Sequence, residues 1–379
     1  MLYLDHAATT PMRPEAREAM APYLDADFGN PSGLHAPSRR AKDAIESARE
    51  RLAALLGAAH PLDVVFTGGG TESDNLGLAG PCLAGSGRGG VVISAVEHEA
   101  VIETARFLGR LGCPVRVVPV DRFGRATPGD VAAAVDESTR VVSVMAANNE
   151  TGVIQPVAEI AAAAREANPA VLVHTDAVQA MVSLPVNLGL LGVDLLTVAS
   201  HKVGGPKGVG ALVMRPGIEL EPVIHGGGQE LGRRSGTHDV AGIVGMVAAA
   251  EAAVFDRDRF GRDVGEARSR FEAKLTAAVP DVVFTIGAGA DRLVQHSHFR
   301  VPGISAETLL IRLDGAGVAA SAGSACQSGA LEMSHVLAAM DLPAEEAAEC
   351  VRITFGWTTS PHDGDSAAAA VATVVGDLR

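Results

Sequence analysis

The sequence predicts an α/β protein: a large domain on a mostly parallel, seven-stranded sheet with helices on both faces, then a smaller α+β C-terminal unit. Three observations carry this expectation. Seven short runs rich in Val, Leu and Ala are bounded by glycine or polar residues, as strands buried on both faces require. Helical patterns lie between several of them, and such alternation belongs to parallel sheets. After residue 215 the texture changes to a Gly/Arg-rich loop, long helical stretches and scattered strand-like runs.

The elements follow in order. RRAKDAIESARERLAALL (39–56) sets Ala41, Ile45, Ala48, Leu52 and Leu55 on one stripe at helical spacing. DVVFT (63–67) reads as a buried strand, GGGTES (68–73) as a Gly-rich turn, and 72–84 as a helix. Further strands are expected at 90–95, 115–120, 140–148, 170–176, 194–200 and 210–215, with helices at 99–111 and 156–168. HGGGQELGRRSGT (225–237) is a loop, and 240–278 reads as one or two long helices. Strands at 282–287, 297–301 and 351–356 and a helix at 305–316 make the smaller unit. We expect residues 15–260 to form the large domain, and 1–14 with 261–379 the small one.

Composition excludes several classes of function. With 31 Lys+Arg against 45 Asp+Glu, the net charge of -14 is the wrong sign for a nucleic-acid or anionic-membrane partner. Aromatics at 3% leave few platforms for base stacking. No basic leader and no run of 18 apolar residues occurs, so neither a secretory signal nor a membrane span is expected. Cysteines 82, 113, 326 and 350 form no CxxC or Cys/His cluster, so we expect no metal site, and free thiols in a reducing cytoplasm.

Ligands of open parallel sheets gather beyond the carboxyl ends of the strands. Strand 63–67 delivers Gly70 and Thr71 at a helix start, where amide N–H groups and a hydroxyl can cradle an anion. Strand 90–95 leads to His98, and strand 140–148 leads to Asn149. Strand 170–176 ends in Asp176 with Gln179 just beyond, and strand 194–200 runs into Ser200, His201 and Lys202. Each has an ordinary reading alone. GGGTES is neither Walker A nor GxGxxG, Asp176 could cap a helix, and Lys202 could be a solvated charge. Five strands delivering polar groups at one end is a much harder coincidence. Pyridoxal 5'-phosphate needs this combination: a lysine for its aldehyde, a carboxylate for its ring nitrogen, and donors for its phosphate.

DLLTVASHKVGGPKGVGALVM (194–214) resembles the lysine signature of class V aminotransferases, within the fold-type-I pyridoxal phosphate enzymes. LDHAATTP (4–11), FGNPSGLH (28–35), FTGGGTESDN (66–75), VEHEAV (96–101), ANNETGVIQP (147–156), HTDAVQ (174–179), HGGGQELGRRSGT (225–237), SAGSACQSG (321–329) and VRITFG (351–356) occur in order. Together they resemble the cysteine desulfurases of the iron–sulfur assembly type, over essentially the whole chain. The resemblance implies that Lys202 holds the cofactor covalently and removes the Cα proton of L-cysteine. It implies that Asp176 pairs with the ring nitrogen, Gln179 and Asn149 lie at the ring hydroxyl, and His98 stacks on the ring and accepts the proton of the attacking thiol. The phosphate would take Gly70, Thr71, His201 and, from a second subunit of a homodimer, Thr237. Arg352, with Asn149, would bind the substrate carboxylate.

Where the family often has a phosphate-binding serine, this chain has Ala199, with Ser200 one step on. Adjacent strand residues face opposite ways, so Ser200 enters the cofactor set only as a candidate. Cys326 stands where the family's mobile loop carries its thiol, among small residues that free the loop to move. The implied reaction turns L-cysteine into L-alanine and leaves the sulfur on Cys326 as a persulfide. An acceptor protein, an iron–sulfur scaffold or a thiolation carrier, then takes it. The alternatives are a selenocysteine lyase or related β-lyase, and an inactive scaffold of a sulfur-transfer complex.

Overall fold

The computed structural model describes residues 1–85, 88–287, 290–323 and 333–379. A short strand, β1 (Leu2–Tyr3), precedes the large sheet. That sheet comprises β2 (Val64–Thr67), β3 (Gly90–Ser94), β4 (Val115–Val118), β5 (Thr139–Ser143), β6 (Leu172–Asp176), β7 (Leu195–Ala199) and β8 (Gly210–Met214). Its order is β2-β8-β7-β6-β5-β3-β4, and among these strands β8 alone runs antiparallel to its neighbours. The carboxyl ends of β3, β5, β6 and β7 therefore share one edge, as the sequence predicts.

The core between sheet and helices holds Leu52, Phe66, Val142, Ile160, Val198 and Val247, all buried. On helix Ala36–Leu56 the buried stripe keeps Ala41, Ile45, Ala48 and Leu52 but ends on Leu56, with Leu55 only half-buried. β5 stops at Ser143 rather than 148, because β3 has already ended at Ser94. The Met145 N–H finds the Glu97 carboxylate instead, at 2.9 Å, while the Ala146 N–H still reaches Asp176 O at 2.8 Å. The apolar run VMAA is thus buried backbone without a full ladder.

The stretch 240–278 is two helices, Val240–Phe255 and Arg257–Ala278. Asp256 separates them, and its carboxylate accepts from Arg13 at 3.0 Å and Arg259 at 2.8 Å. A second core lies beyond this break. β9 (Val283–Phe284) and β10 (His296–Arg300) pair antiparallel, β11 (Val318–Ala319) pairs with β1, and β12 (Cys350–Thr354) pairs with β10. Phe271 sits at its centre, 5.7 Å from the ring of Phe299 and 6.0 Å from that of Phe355. Leu4 joins this core, so the N-terminal segment packs with the C-terminal third of the chain.

The 225–237 loop is tied down by buried charge. Arg49 meets both carboxylate oxygens of Glu230 at 2.7 Å and also donates to Val64 O at 2.7 Å. Phe66 N and His238 Nε2 complete the shell of that carboxylate, at 3.1 and 2.6 Å. Burial pushes Glu230 up, but the Arg49 and His238 contacts prevail and hold it at about 2. Glu230 and Leu231 both take left-handed backbone, φ 52° and 59°, which branched or long side chains adopt at a cost. We expect Arg49→Met to destabilise the fold by about 3–5 kcal/mol, because it strands a buried carboxylate. Denaturant unfolding checks this; a loss below about 1 kcal/mol would show that Glu230 finds other partners.

Candidate active site

Beyond the carboxyl ends of the parallel strands lies a cavity of about 300 Å³. Gly70, Thr71, His98, Asn149, Asp176, Gln179, His201 and Lys202 all line it, so eight of the sequence-derived candidates meet in one place. Around Gly70, Thr71 and His201 it adjoins a wider, open hollow of about 850 Å³ that reaches Lys207 and Ile224.

The anion cradle follows from the turn after β2. Gly69 has φ 147°, a conformation that needs glycine, and it caps helix Gly70–Leu83. The first intrahelical bond runs from Ser73 N to Gly69 O, so the amides of Gly70, Thr71 and Glu72 have no acceptor within the helix. These N–H groups and the positive end of the helix dipole suit a phosphate. The Glu72 carboxylate turns aside, accepting from Gly68 N at 2.8 Å and Arg234 Nε at 2.8 Å.

Lys202 follows β7 in a short 3₁₀ turn. Its Nζ donates to the carbonyls of Ala7 and Ala8, the latter at 2.8 Å. Burial, reinforced by the Arg352 charge and opposed by Asp176 and Asp5, lowers its pKa to about 8. The amine is therefore close to losing its proton near neutral pH, as a nucleophilic lysine must. Asp176 is buried, and one of its oxygens accepts from Val178 N at 2.8 Å. Burial raises its pKa, while the neighbouring His98 and Lys202 pull it down. A cationic ring nitrogen would complete that pull.

His98 caps helix Glu99–Arg110, its Nδ1 accepting from Ala100 N at 3.1 Å. This contact occupies Nδ1 with backbone and leaves Nε2 as the other ring nitrogen. His201 is held neutral, at about 4, first by burial and then by Lys202 and Lys207. Gln179 Nε2 donates to Ala7 O at 2.9 Å.

Arg352, on β12, lies beside the cavity and is 3% exposed. Its Nη1 donates to Asn149 O at 2.8 Å and its Nη2 to Asp5 Oδ1 at 2.7 Å. Asp5 is a functional neighbour that the sequence reading missed, as are the Ala7 and Ala8 carbonyls; the LDHAATTP motif that contains them was the available signal.

Among the described candidates, Ser200 and Thr237 are not brought into the cavity. Ser200 is a correction to the expected cofactor set. Its fully buried hydroxyl points at Gly205, where a Cβ would fall 2.2 Å from Oγ, and the Ala199 methyl faces the cavity instead. The alternation along β7 decides this. Thr237 is exposed on its loop. Cys326 lies outside the described residues.

An amine, a buried carboxylate and a helix N-terminus around one cavity form a donor set that fits pyridoxal phosphate. No group of three or more His, Cys, Asp or Glu suited to a metal ion occurs among the described residues.

Comparison with known proteins agrees. The family model described as "Aminotransferase class-V" matches residues 2–365. The chain is 44% identical to "Cysteine desulfurase IscS" of Dictyoglomus turgidum over 96% of its own length and 91% of that protein's. It is 38% identical to "Cysteine desulfurase NifS" of Azotobacter vinelandii, over 100% of this chain and 93% of that one. A solved structure titled "NIFS-LIKE PROTEIN" superposes with a TM-score of 0.92 at 34% identity, covering 100% of both chains. The chain therefore belongs to the pyridoxal phosphate-dependent aminotransferase class-V family.

Proposed function

We propose that this protein is a cysteine desulfurase. It takes sulfur from L-cysteine, releases L-alanine, and passes the sulfur through a persulfide on Cys326 to an acceptor protein for iron–sulfur cluster or other thio-compound synthesis. The observation that carries the reading is the meeting of Lys202, Asp176 and the Gly70–Thr71 helix start in one cavity, with the Arg352 guanidinium alongside.

Bound pyridoxal phosphate supplies an electron sink for charge developing at the substrate Cα. Gly70 and Thr71, with neutral His201, would hold the phosphate, and Asp176 would keep the ring nitrogen protonated. Gln179 and Asn149 would orient the ring hydroxyl, and His98 would stack on the ring. Lys202 moves the Cα proton. Arg352 binds the substrate carboxylate, exchanging its Asp5 contact for the ligand. The Cys326 thiolate then attacks the substrate sulfur. The Cβ–S bond breaks, an S–S bond forms, and Cβ takes up a proton as alanine leaves.

Thr237 lies on an exposed loop, and Leu24, Phe28 and Leu34 are exposed apolar side chains. Both features support a homodimer in which Thr237 reaches the partner's phosphate. Cys82, Cys113 and Cys350 are free, which supports a cytoplasmic setting. No described helix is long and apolar enough to cross a membrane.

The purified protein is expected to release L-alanine and sulfide one for one from L-cysteine and a thiol reductant. Arg352→Lys, which loses the forked geometry, should raise KM for cysteine about 10- to 100-fold with a smaller change in kcat. An unchanged KM would remove Arg352 from the substrate site; no alanine from the parent protein would overturn the function.

A further inference from the structure

A second, smaller cavity shares Lys202 and Gln179 with the cavity described above. His6, Thr10, Gln295 and His296 line its polar side, and Phe355 and Trp357 its apolar side. The centre of a water molecule can occupy about 20 Å³ of it, room for one water. Gln295 Oε1 has no hydrogen-bond partner among the described residues, and His6 and His296 each spend one ring nitrogen on backbone, of Tyr3 and Asn149, and leave the other unpaired. The His6, His296 and Gln295 side chains are 5%, 0% and 4% exposed. Buried polar atoms without partners are costly and rare, and three acceptors around one small chamber point to an occupant that donates to them.

Lys202 supplies the second half of the argument. An ammonium group has three donors, and the carbonyls of Ala7 and Ala8 take two. The third has no acceptor among the described residues, and Lys202 itself lines the chamber. We infer that the chamber holds one ordered water, which donates to two of His6, Gln295 and His296 and accepts the third Lys202 N–H whenever the amine is free of the cofactor. The water makes His6, Gln295 and His296 positioning residues for the lysine.

Burial keeps both histidines neutral, His6 at about 4 and His296 at about 3; the ring N–H of each is taken by backbone, of Tyr3 and Asn149, so each offers the chamber one acceptor and adds no charge beside the amine. The charges acting on Lys202 are those of Arg352, Asp176 and Asp5, and His98 and His201 face it across the cofactor cavity. The water stabilises the ammonium form against that desolvated setting. Without it the amine loses its proton at lower pH. The inference rests on the proposal that Lys202 is the covalent lysine, but its test does not use turnover.

The holoenzyme crystallised at high resolution should show one water in the chamber, within hydrogen-bond distance of at least two of His6, Gln295 and His296. In the full-length chain freed of cofactor, acetic anhydride labelling across pH, read on the Lys202 peptide by mass spectrometry, should give a midpoint about one pH unit above the value of about 8 that burial and the neighbouring charges set without the water. His296→Phe, which removes the ring nitrogens, should lower that midpoint to about 8. Gln295→Met serves as the second variant if the first does not fold. A dry chamber in the parent protein, or an unmoved midpoint in a folded variant, overturns the inference. An active Lys202→Ala protein would instead sink the covalent-lysine reading and leave the water and its effect on the amine standing.

Discussion

Lys202→Ala is expected to lower alanine production at least about 10⁴-fold, because one change removes both the covalent attachment and the proton carrier. Lys202→Arg should do no better. Guanidinium does not give up its proton, and the low pKa that suits Lys202 to the task has no counterpart there. Cofactor binding should largely survive, because the phosphate cradle and Asp176 belong to other elements. The absorption band of the lysine-bound cofactor should vanish while bound cofactor is still recovered on denaturation. Steady-state alanine assay and a visible spectrum settle the matter together. Turnover within about tenfold of the parent would show that another amine carries the chemistry.

Cys326→Ala should reduce multiple-turnover sulfide release about 10³-fold or more, while mixing with L-cysteine still perturbs the cofactor spectrum. The other three thiols offer no substitute. Burial pushes Cys82 up to about 12 and Cys350 up to about 11, and raises Cys113 as well, so none of them supplies thiolate near neutral pH. Mass spectrometry of the parent protein after one turnover should find the added sulfur on the Cys326 peptide. Persulfide on Cys82, Cys113 or Cys350, or sulfide release at the parental rate from Cys326→Ala, would overturn the assignment.

Much of the site is legible in the sequence because apolar strands make their polar exits conspicuous. Val/Leu runs place Gly70, His98, Asn149, Asp176 and Lys202 at one sheet edge with no knowledge of tertiary contacts. Ser200 shows the limit of that reasoning. Its place in the chain is right for a phosphate ligand, and its side of the backbone is wrong. The run after Ser143 misleads in another way, since burial alone reads as strand while the Glu97 carboxylate takes the place of a neighbouring backbone. The Asp5–Arg352 pair joins residues 347 apart, and the Ala7 and Ala8 carbonyls leave no mark in side-chain periodicity. Glu230 pairing with Arg49 across 181 residues is equally invisible to local pattern.

The segment carrying Leu4, Asp5 and Ala7 is held by partners far along the chain. Thr354 N donates to Leu4 O at 2.7 Å, and Ala7 N donates to Thr354 Oγ1 at 2.8 Å across 347 residues. During synthesis the Thr354 half of this anchoring is missing until almost the whole chain is made, while Gln179 and His201 can already hold Ala7 and Thr10. Contacts of such long range close late, because the loop entropy falls due before they form. A nascent chain that has already built the large sheet therefore holds the carbonyls over Lys202 from the sheet side alone, and Thr354 closes the other side last.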